Sequence, residues 1–221
     1  TILKGDVEVA LARPRSPETY QETLENVNQT TDQLIALVQE LLLLARADNQ
    51  QSVLKLDYFN LAEMLTEQTA SFMPKAIKEE ISLNVDVPGV LVIEGDRNKL
   101  SRLFMNLIDN ALKYSRSGDT VMVNAAITNG QACVTIADTG PGIGPEHLPH
   151  LFDRFYRVDK ARSRVSANGQ TSGAGLGLSI VQWLAQAHGG RVEVDSTIDQ
   201  GTTFTVWLPL KQSQPVKNGV S

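Results

Sequence analysis

Asn106, Asn110 and Lys113 stand at i, i+4 and i+7 in this 221-residue chain. On an α-helix that spacing gathers them on one face, where two amides and an ammonium can hold a hydrated cation and phosphate oxygens. The same stripe also describes an ordinary solvated helix face. Further along, Asp138-Thr139-Gly140-Pro141-Gly142-Ile143-Gly144 follows the apolar residues Val134, Ile136 and Ala137. Alternate glycines let the backbone approach a ligand closely and take positive φ, and a carboxylate at a strand end can accept from an exocyclic amine. A second run, Gly173-Ala174-Gly175-Leu176-Gly177-Leu178, leads into a periodic apolar segment. At the positive end of a helix its N–H groups would converge on anionic oxygens, a phosphate cradle. Each run alone is equally a plain turn. Neither fits G-x-G-x-x-G and the chain contains no G-x-x-x-x-G-K-[ST], which excludes dinucleotide-fold and P-loop sites.

The elements that must position these groups follow from periodicity. Over 97–114, Leu100, Leu103, Phe104, Leu107, Ile108 and Ala111 share one broad helix face. Strands are expected at 54–59, 81–87, 90–93, 120–128, 131–137, 191–196 and 203–208, and helices at 61–76 and near 176–187. The polar, glycine-broken stretch 159–173 has no periodicity and reads as a mobile loop. Helices and strands mixed without regular βαβ repetition predict an α+β sandwich, a mixed sheet covered by helices on one face. Residues 1–48 differ, with Gly5 as their only glycine and Pro14 and Pro17 close together. They read as helix, turn and helix. Ser16, Pro17 and Glu18 form a helix start, and Leu24, Val27, Thr31, Leu34, Val38, Leu41 and Ala45 make a heptad seam. Leu3, Val7 and Ala10 give the first helix a short matching seam. Two such helices leave apolar surface over, so a second copy completing a four-helix bundle is the expected solution. The alternative is a hairpin packed on the rest of its own chain. The expected domains are 1–48, a dimerisation hairpin, and 52–211, with a frayed tail at 212–221.

Composition narrows the class. The longest aliphatic run, 41–44, is far below the ~20 residues of a membrane-spanning helix, and nothing at the start reads as a signal peptide. A net charge of −5 argues against a nucleic-acid surface, so any phosphate ligand must be held locally. One cysteine, Cys133, rules out an internal disulfide and paired-cysteine zinc sites. Between Ala132 and Val134 it reads as a small buried hydrophobe.

Taken in order, the motifs resemble those of sensor histidine kinases. Asn106-Leu-Ile-Asp-Asn110-Ala-Leu-Lys113-Tyr114 is similar to the asparagine box and Asp138-x-Gly140-x-Gly142-x-Gly144 to the first glycine box. Phe152-Asp-Arg-Phe155-Tyr-Arg157 resembles the phenylalanine box, Gly173-x-Gly175-x-Gly177-Leu178 the second glycine box, and Gly201-Thr202-Thr203-Phe204 the last. With the hairpin, the resemblance covers nearly the whole chain. It implies a Bergerat-type ATP-binding domain, shared with the gyrase, Hsp90 and MutL ATPases, behind a dimerisation and histidine-phosphotransfer hairpin. It further implies that Asp138 accepts from the adenine amine, with Thr202 supporting that contact through water, and that Tyr114 packs on the adenine. Asn110 would give an oxygen to Mg²⁺ and Lys113 would pair with phosphate. Gly140, Gly142, Ile143 and Gly144 would line the base, and Gly173, Gly175, Leu176, Gly177 and Leu178 would wrap the phosphates. Asn106, Lys113 and Arg157 form the implied catalytic set, with Arg162 a further cation beside the lid. Phe152 and Phe155 would anchor the lid.

Two departures carry information. The hydrolytic relatives place a glutamate base four residues before the magnesium asparagine; here that residue is Asn106, which cannot take a proton. Transfer to a better nucleophile is therefore favoured over rapid hydrolysis. The family's acceptor box, H-E-x-x-T-P-L, does not occur; the histidines are His147, His150 and His188. His188 is expected to end a helix, and His147 and His150 to sit on the surface. The resulting expectation is the cytoplasmic catalytic portion of a sensor kinase, starting just after its acceptor box and attached to the inner or plasma membrane only through upstream segments. It would bind ATP and Mg²⁺, form a homodimer and serve a response-regulator receiver domain, without labelling itself. A gyrase- or Hsp90-type ATPase and a non-catalytic pseudokinase scaffold are the rival readings.

Overall fold

The computed structural model describes residues 2–14, 16–48, 54–158 and 174–210. The chain divides into two units, Thr1–Ser52 and Val53–Ser221. In the first, α1 (Ile2–Ala12) and α2 (Pro17–Asp48) contact each other. The start of α2 is built as its residues require: the Thr19 N–H donates to Ser16 Oγ at 3.3 Å. Its own backbone N–H and the Ser16 hydroxyl hold the exposed Glu18 carboxyl below its ordinary pKa. Ala10 of α1 is buried, whereas Leu24 on α2 is 67% exposed and Leu34, Val38 and Leu41 are exposed as well.

The second unit runs β1 (Asp57–Asn60), α3 (Leu61–Lys78), β2 (Ser82–Asp86), β3 (Val92–Gly95), α4 (Arg97–Tyr114), β4 (Thr120–Thr128), β5 (Gln131–Asp138), α5 (Gly177–Ala187), β6 (Arg191–Thr197) and β7 (Gly201–Pro209). A short 3-10 turn occupies Leu148–His150. The five-stranded sheet has the order β2-β4-β5-β7-β6. It is mixed: β2 pairs parallel with β4, and the other ladders are antiparallel. The single sheet expected from the sequence is therefore two, because β1 and β3 form a separate antiparallel pair.

Strand ends shift by a few residues for the same reason, since a strand extends only as far as a partner exists. Before β1, the Lys55 N–H donates to Asp96 Oδ2 at 3.1 Å instead of joining a ladder. Helix α3 runs past the expected end at 76 and through Pro74. Asn60 caps it, its Oδ1 accepting from Ala62 N at 3.2 Å and also from Leu91 N at 2.9 Å.

Helix α4 contacts both α3 and α5, and all three helices contact the sheet. The core lies between them, where Leu103, Phe104, Leu107, Val134, Ile180 and Val206 are fully buried. Full burial of such side chains is worth about 1.5–3 kcal/mol each. Cys133 corrects the sequence expectation. Its neighbours Ala132 and Val134 point into the core, so alternation turns Cys133 to the other face, opposite Trp207, where it is half-buried.

Candidate functional site

The functional motifs come together because of strand register. On β5, Ala132, Val134 and Ile136 are buried, so Asp138, two residues on, projects to the same helix-covered face at the sheet's end. Asp138 pairs with Thr202 of β7, and Thr202 pairs with Ser196 of β6. One row therefore carries a carboxylate and two hydroxyls drawn from three strands. Asp138 Oδ1 accepts from Gly140 N at 3.0 Å and from Thr202 N at 3.3 Å, which leaves Oδ2 to face a donor. Burial pushes the Asp138 carboxyl above the ordinary aspartate pKa; those two N–H groups oppose the shift and the Asp119 charge adds to it.

Two glycines make the row possible. A side chain on Gly201, whose φ is +104°, would strike the Asp138 carbonyl, and one on Gly142, at φ +66°, would strike the Thr197 carbonyl. The turn between β6 and β7 is tied to the first glycine run as well, the Asp199 N–H donating to the Pro141 carbonyl at 2.8 Å.

Helix α4 supplies the other wall. Asp96 caps it through Lys99 N at 3.2 Å, and its apolar stripe is wholly buried, which fixes the rotation that leaves the polar residues at the edge. Asn106 and Asn110 are half-buried and Lys113 is exposed. Asn106 Nδ2 makes a long 3.5 Å contact to the Gly177 carbonyl. The Asn110 amide has no side-chain hydrogen bond among the described residues. Loss of hydration lowers the Lys113 pKa, Asp109 opposes this, and the Arg157 and Lys75 charges add to it. The Lys113 ammonium lies 5.4 Å from the centre of the exposed Tyr114 ring.

The second glycine run opens α5, as expected: Gly175 has φ +76° and Leu176 precedes the first helical residue, Gly177. Gly175 also receives the phenylalanine segment, the Phe155 N–H donating to its carbonyl at 2.9 Å. A side chain at Gly175 would run into the Phe155 backbone. Phe155 itself is 58% exposed and held at φ +63°, so it is not the buried anchor expected of it; Leu151 is the buried residue of this segment, with Phe152 half-buried. Gly173, Arg162 and the expected loop 159–173 lie outside the described residues, as does the tail beyond 210.

The structure thus joins Asn106 to Gly177 and Gly175 to Phe155, and sets Asp138 beside Thr202 and Ile143 beside Ser196, while the Leu176 side chain is fully buried in the core. Gly140 links the Asp138 turn to α4, its open face lying against the Tyr114 carbonyl.

Sequence reasoning missed two contributors. Ser196 continues the inward alternation of Val192 and Val194 on β6, and a polar residue ending such an alternation was the available signal. Tyr156 is hydrogen-bonded to His147 Nδ1 at 2.8 Å and faces the His150 ring at 5.4 Å, a contact between residues too far apart for periodicity to reveal. His150 is exposed and bonded to Asp153 at 2.9 Å, while His147 is half-buried. His188 ends α5, its Nδ1 donating to the Leu184 carbonyl at 2.7 Å, and its Nε2 accepts from Asp96 N at 3.1 Å.

Residues 95–212 match the family described as histidine kinase-, DNA gyrase B-, and HSP90-like ATPase. The chain is 34% identical over 209 residues to the sensor protein IrlS of Burkholderia pseudomallei, covering 95% of this chain and 44% of that protein. It therefore spans less than half the length of that relative. Among solved structures, full-length ShkA in complex with AMPPNP has a TM-score of 0.76 and 27% identity over 92% of this chain and 41% of that one. Histidine kinase ThkA in complex with the response regulator TrrA has a TM-score of 0.72 and 21% identity, over 96% of this chain and 57% of that one, and shares the fold.

Proposed function

Because the chain belongs to the histidine kinase-, DNA gyrase B-, and HSP90-like ATPase family, we propose that its second unit binds Mg-ATP between the Asp138–Thr202 row and the α4 stripe. In the longer protein it would drive phosphoryl transfer to a histidine and then to a response-regulator aspartate. One observation carries this reading: the Asp138 row and the α4 stripe meet where Gly140 lies against the Tyr114 carbonyl, and the α5 start meets the same stripe through Asn106 and Gly177. A carboxylate with one oxygen open stands on one side of that junction, and an amide stripe beside glycine-run N–H groups stands on the other. These are the chemistries that an aminopurine and a triphosphate need.

Asp138 Oδ2 accepts from the adenine amine and Thr202 stands beside it. Tyr114 offers a ring at the mouth. The N–H groups at the start of α5, with Lys113, hold phosphate oxygens by charge and by the positive helix end. Asn110, whose amide has no side-chain hydrogen bond among the described residues, is a suitable oxygen donor for Mg²⁺, which when bound supplies positive charge against the phosphates. Arg157 stabilises negative charge that develops on the transferred group. Asn106 bonds the α5 backbone through its Nδ2 and offers no base for water. The first unit is proposed to pair with a second copy through the exposed α2 seam, forming a dimeric four-helix bundle, and its proposed partner in signalling is the receiver domain of a response regulator, a reading supported by the complex of ThkA with the response regulator TrrA. The domains proposed are 1–48 and 52–211.

Calorimetry with ATP, with and without Mg²⁺, tests the site, and intact mass after incubation with Mg-ATP tests the chemistry. The expected result is magnesium-dependent binding with no phosphate gained by this chain, whose histidines all lie in the second unit, and little steady turnover. No binding of adenine nucleotide refutes the reading; steady hydrolysis would replace it with that of an ATPase.

A further inference from the structure

The Ser196 hydroxyl sits where the first glycine run meets the β6–β7 turn. Its Oγ accepts from the Ile143 N–H at 2.8 Å, donates to the Gly201 carbonyl at 2.8 Å, and lies 2.9 Å from Thr202 Oγ1. A hydroxyl has one proton and two acceptor positions. With the proton on Gly201 and one lone pair taken by Ile143, the other lone pair receives the Thr202 hydroxyl proton. The three contacts then saturate Ser196 completely. Thr202 enters the site with its hydroxyl proton already engaged, and its backbone N–H is engaged on Asp138 Oδ1. What the pair still offers is acceptors, Asp138 Oδ2 and the free lone pair of Thr202 Oγ1.

We infer that Ser196 is a specificity-determining positioning residue: by holding the Thr202 proton it makes the base-recognising end of the site accept only, which selects a 6-amino purine over a 6-oxo purine. The inference rests on the ATP-binding reading above and names the device behind its base preference. A 6-oxo base brings a carbonyl lone pair against acceptors in place of the amine, and although its N1–H can still answer one of them, the carbonyl itself finds no donor. If Thr202 were free to turn its proton outward, it could donate to that carbonyl, directly or through water, and the discrimination would shrink. Register explains why residue 196 holds this position: it is the β6 partner of Thr202, which is in turn the β7 partner of Asp138. Ser196 need not touch the base to act on it.

The test is calorimetric titration of the full chain with ATP and with inosine triphosphate, its 6-oxo analogue, for wild type, Ser196→Ala and Ser196→Thr. Wild type is expected to prefer ATP. The ratio of the two dissociation constants should fall about fivefold to tenfold in Ser196→Ala, the worth of about one hydrogen bond, and should be restored in Ser196→Thr, which keeps a hydroxyl. A purely structural role would weaken both nucleotides in proportion and leave the ratio unchanged, which overturns the inference. Where Ser196→Ala does not fold, Ser196→Cys is read in the same way, since a thiol fills the space with a much weaker donor and acceptor. Wild type that binds ATP and inosine triphosphate equally also overturns the inference while the ATP reading stands. Wild type that binds neither overturns both.

Discussion

Replacing Asp138 with Asn should move binding and stability in opposite directions. The two internal hydrogen bonds, from Gly140 N at 3.0 Å and Thr202 N at 3.3 Å, both fall on Oδ1, and an asparagine oxygen can accept them unchanged. The substitution therefore acts on Oδ2, which becomes an NH₂ group and meets the adenine amine donor to donor. Losing a hydrogen bond to a charged acceptor costs about 1.5–3 kcal/mol, so the ATP dissociation constant should rise roughly 10- to 100-fold. Stability behaves differently. Burial raises the Asp138 pKa, so the folded state holds its proton more firmly than the unfolded chain, and stability falls as pH rises through that elevated range. Asn carries no charge to bury. The nucleotide-free variant should unfold at a higher temperature than wild type at neutral pH, and the difference should close in mild acid, where Asp138 is protonated. Calorimetric titration with ATP and thermal unfolding across pH measure both effects. Unchanged ATP affinity, or a variant less stable than wild type at neutral pH, would refute the reasoning.

Asn110→Ala should leave magnesium-free nucleotide binding nearly intact and remove the gain that Mg²⁺ confers, as read by paired titrations with and without the metal. Gly201→Ala, at φ +104° and against the Asp138 carbonyl, should cost about 2–3 kcal/mol in urea unfolding and weaken ATP binding, because the row it supports must shift. His188→Ala removes the acceptor of the Asp96 N–H and should cost about 1–3 kcal/mol at neutral pH. Burial lowers the His188 pKa, against the Leu184 hydrogen bond and the Asp96 charge. Its stabilisation is therefore complete above the ordinary imidazole range and is lost as pH falls towards the lowered value, so the variant should lose less stability on acidification than wild type does. Leu34→Lys with Val38→Lys, on the exposed α2 seam, should convert the proposed dimer to monomer in light scattering while ATP binding by the second unit is retained.

Periodicity and motif order are properties of neighbouring residues, and what depended on them was readable from the chain alone. The apolar face of α4, the Ser16 start of α2 and the two glycine runs stand where their spacing puts them, and each follows from the pitch of a helix or the conformational freedom of glycine. The substitution of Asn106 for a carboxylate base needed no coordinates either. Register belongs to another class. Asp138 meets Thr202 across 64 positions, and Ser196 joins them only because the β6 register sets it opposite Thr202; the alternation on β6 tells which face Ser196 takes, but not which hydroxyl it meets. Cys133 was misplaced for the same reason: apolar neighbours in sequence are, on a strand, residues of the opposite face. The separation of β1 and β3 from the main sheet, the exposure of Phe155 and the bond from Asp96 N to His188 were likewise settled only when distant segments met. A chain states its helices and turns residue by residue, whereas hydrogen bonds between strands and caps between elements are decided by which segments can satisfy one another's donors and acceptors once the core has closed.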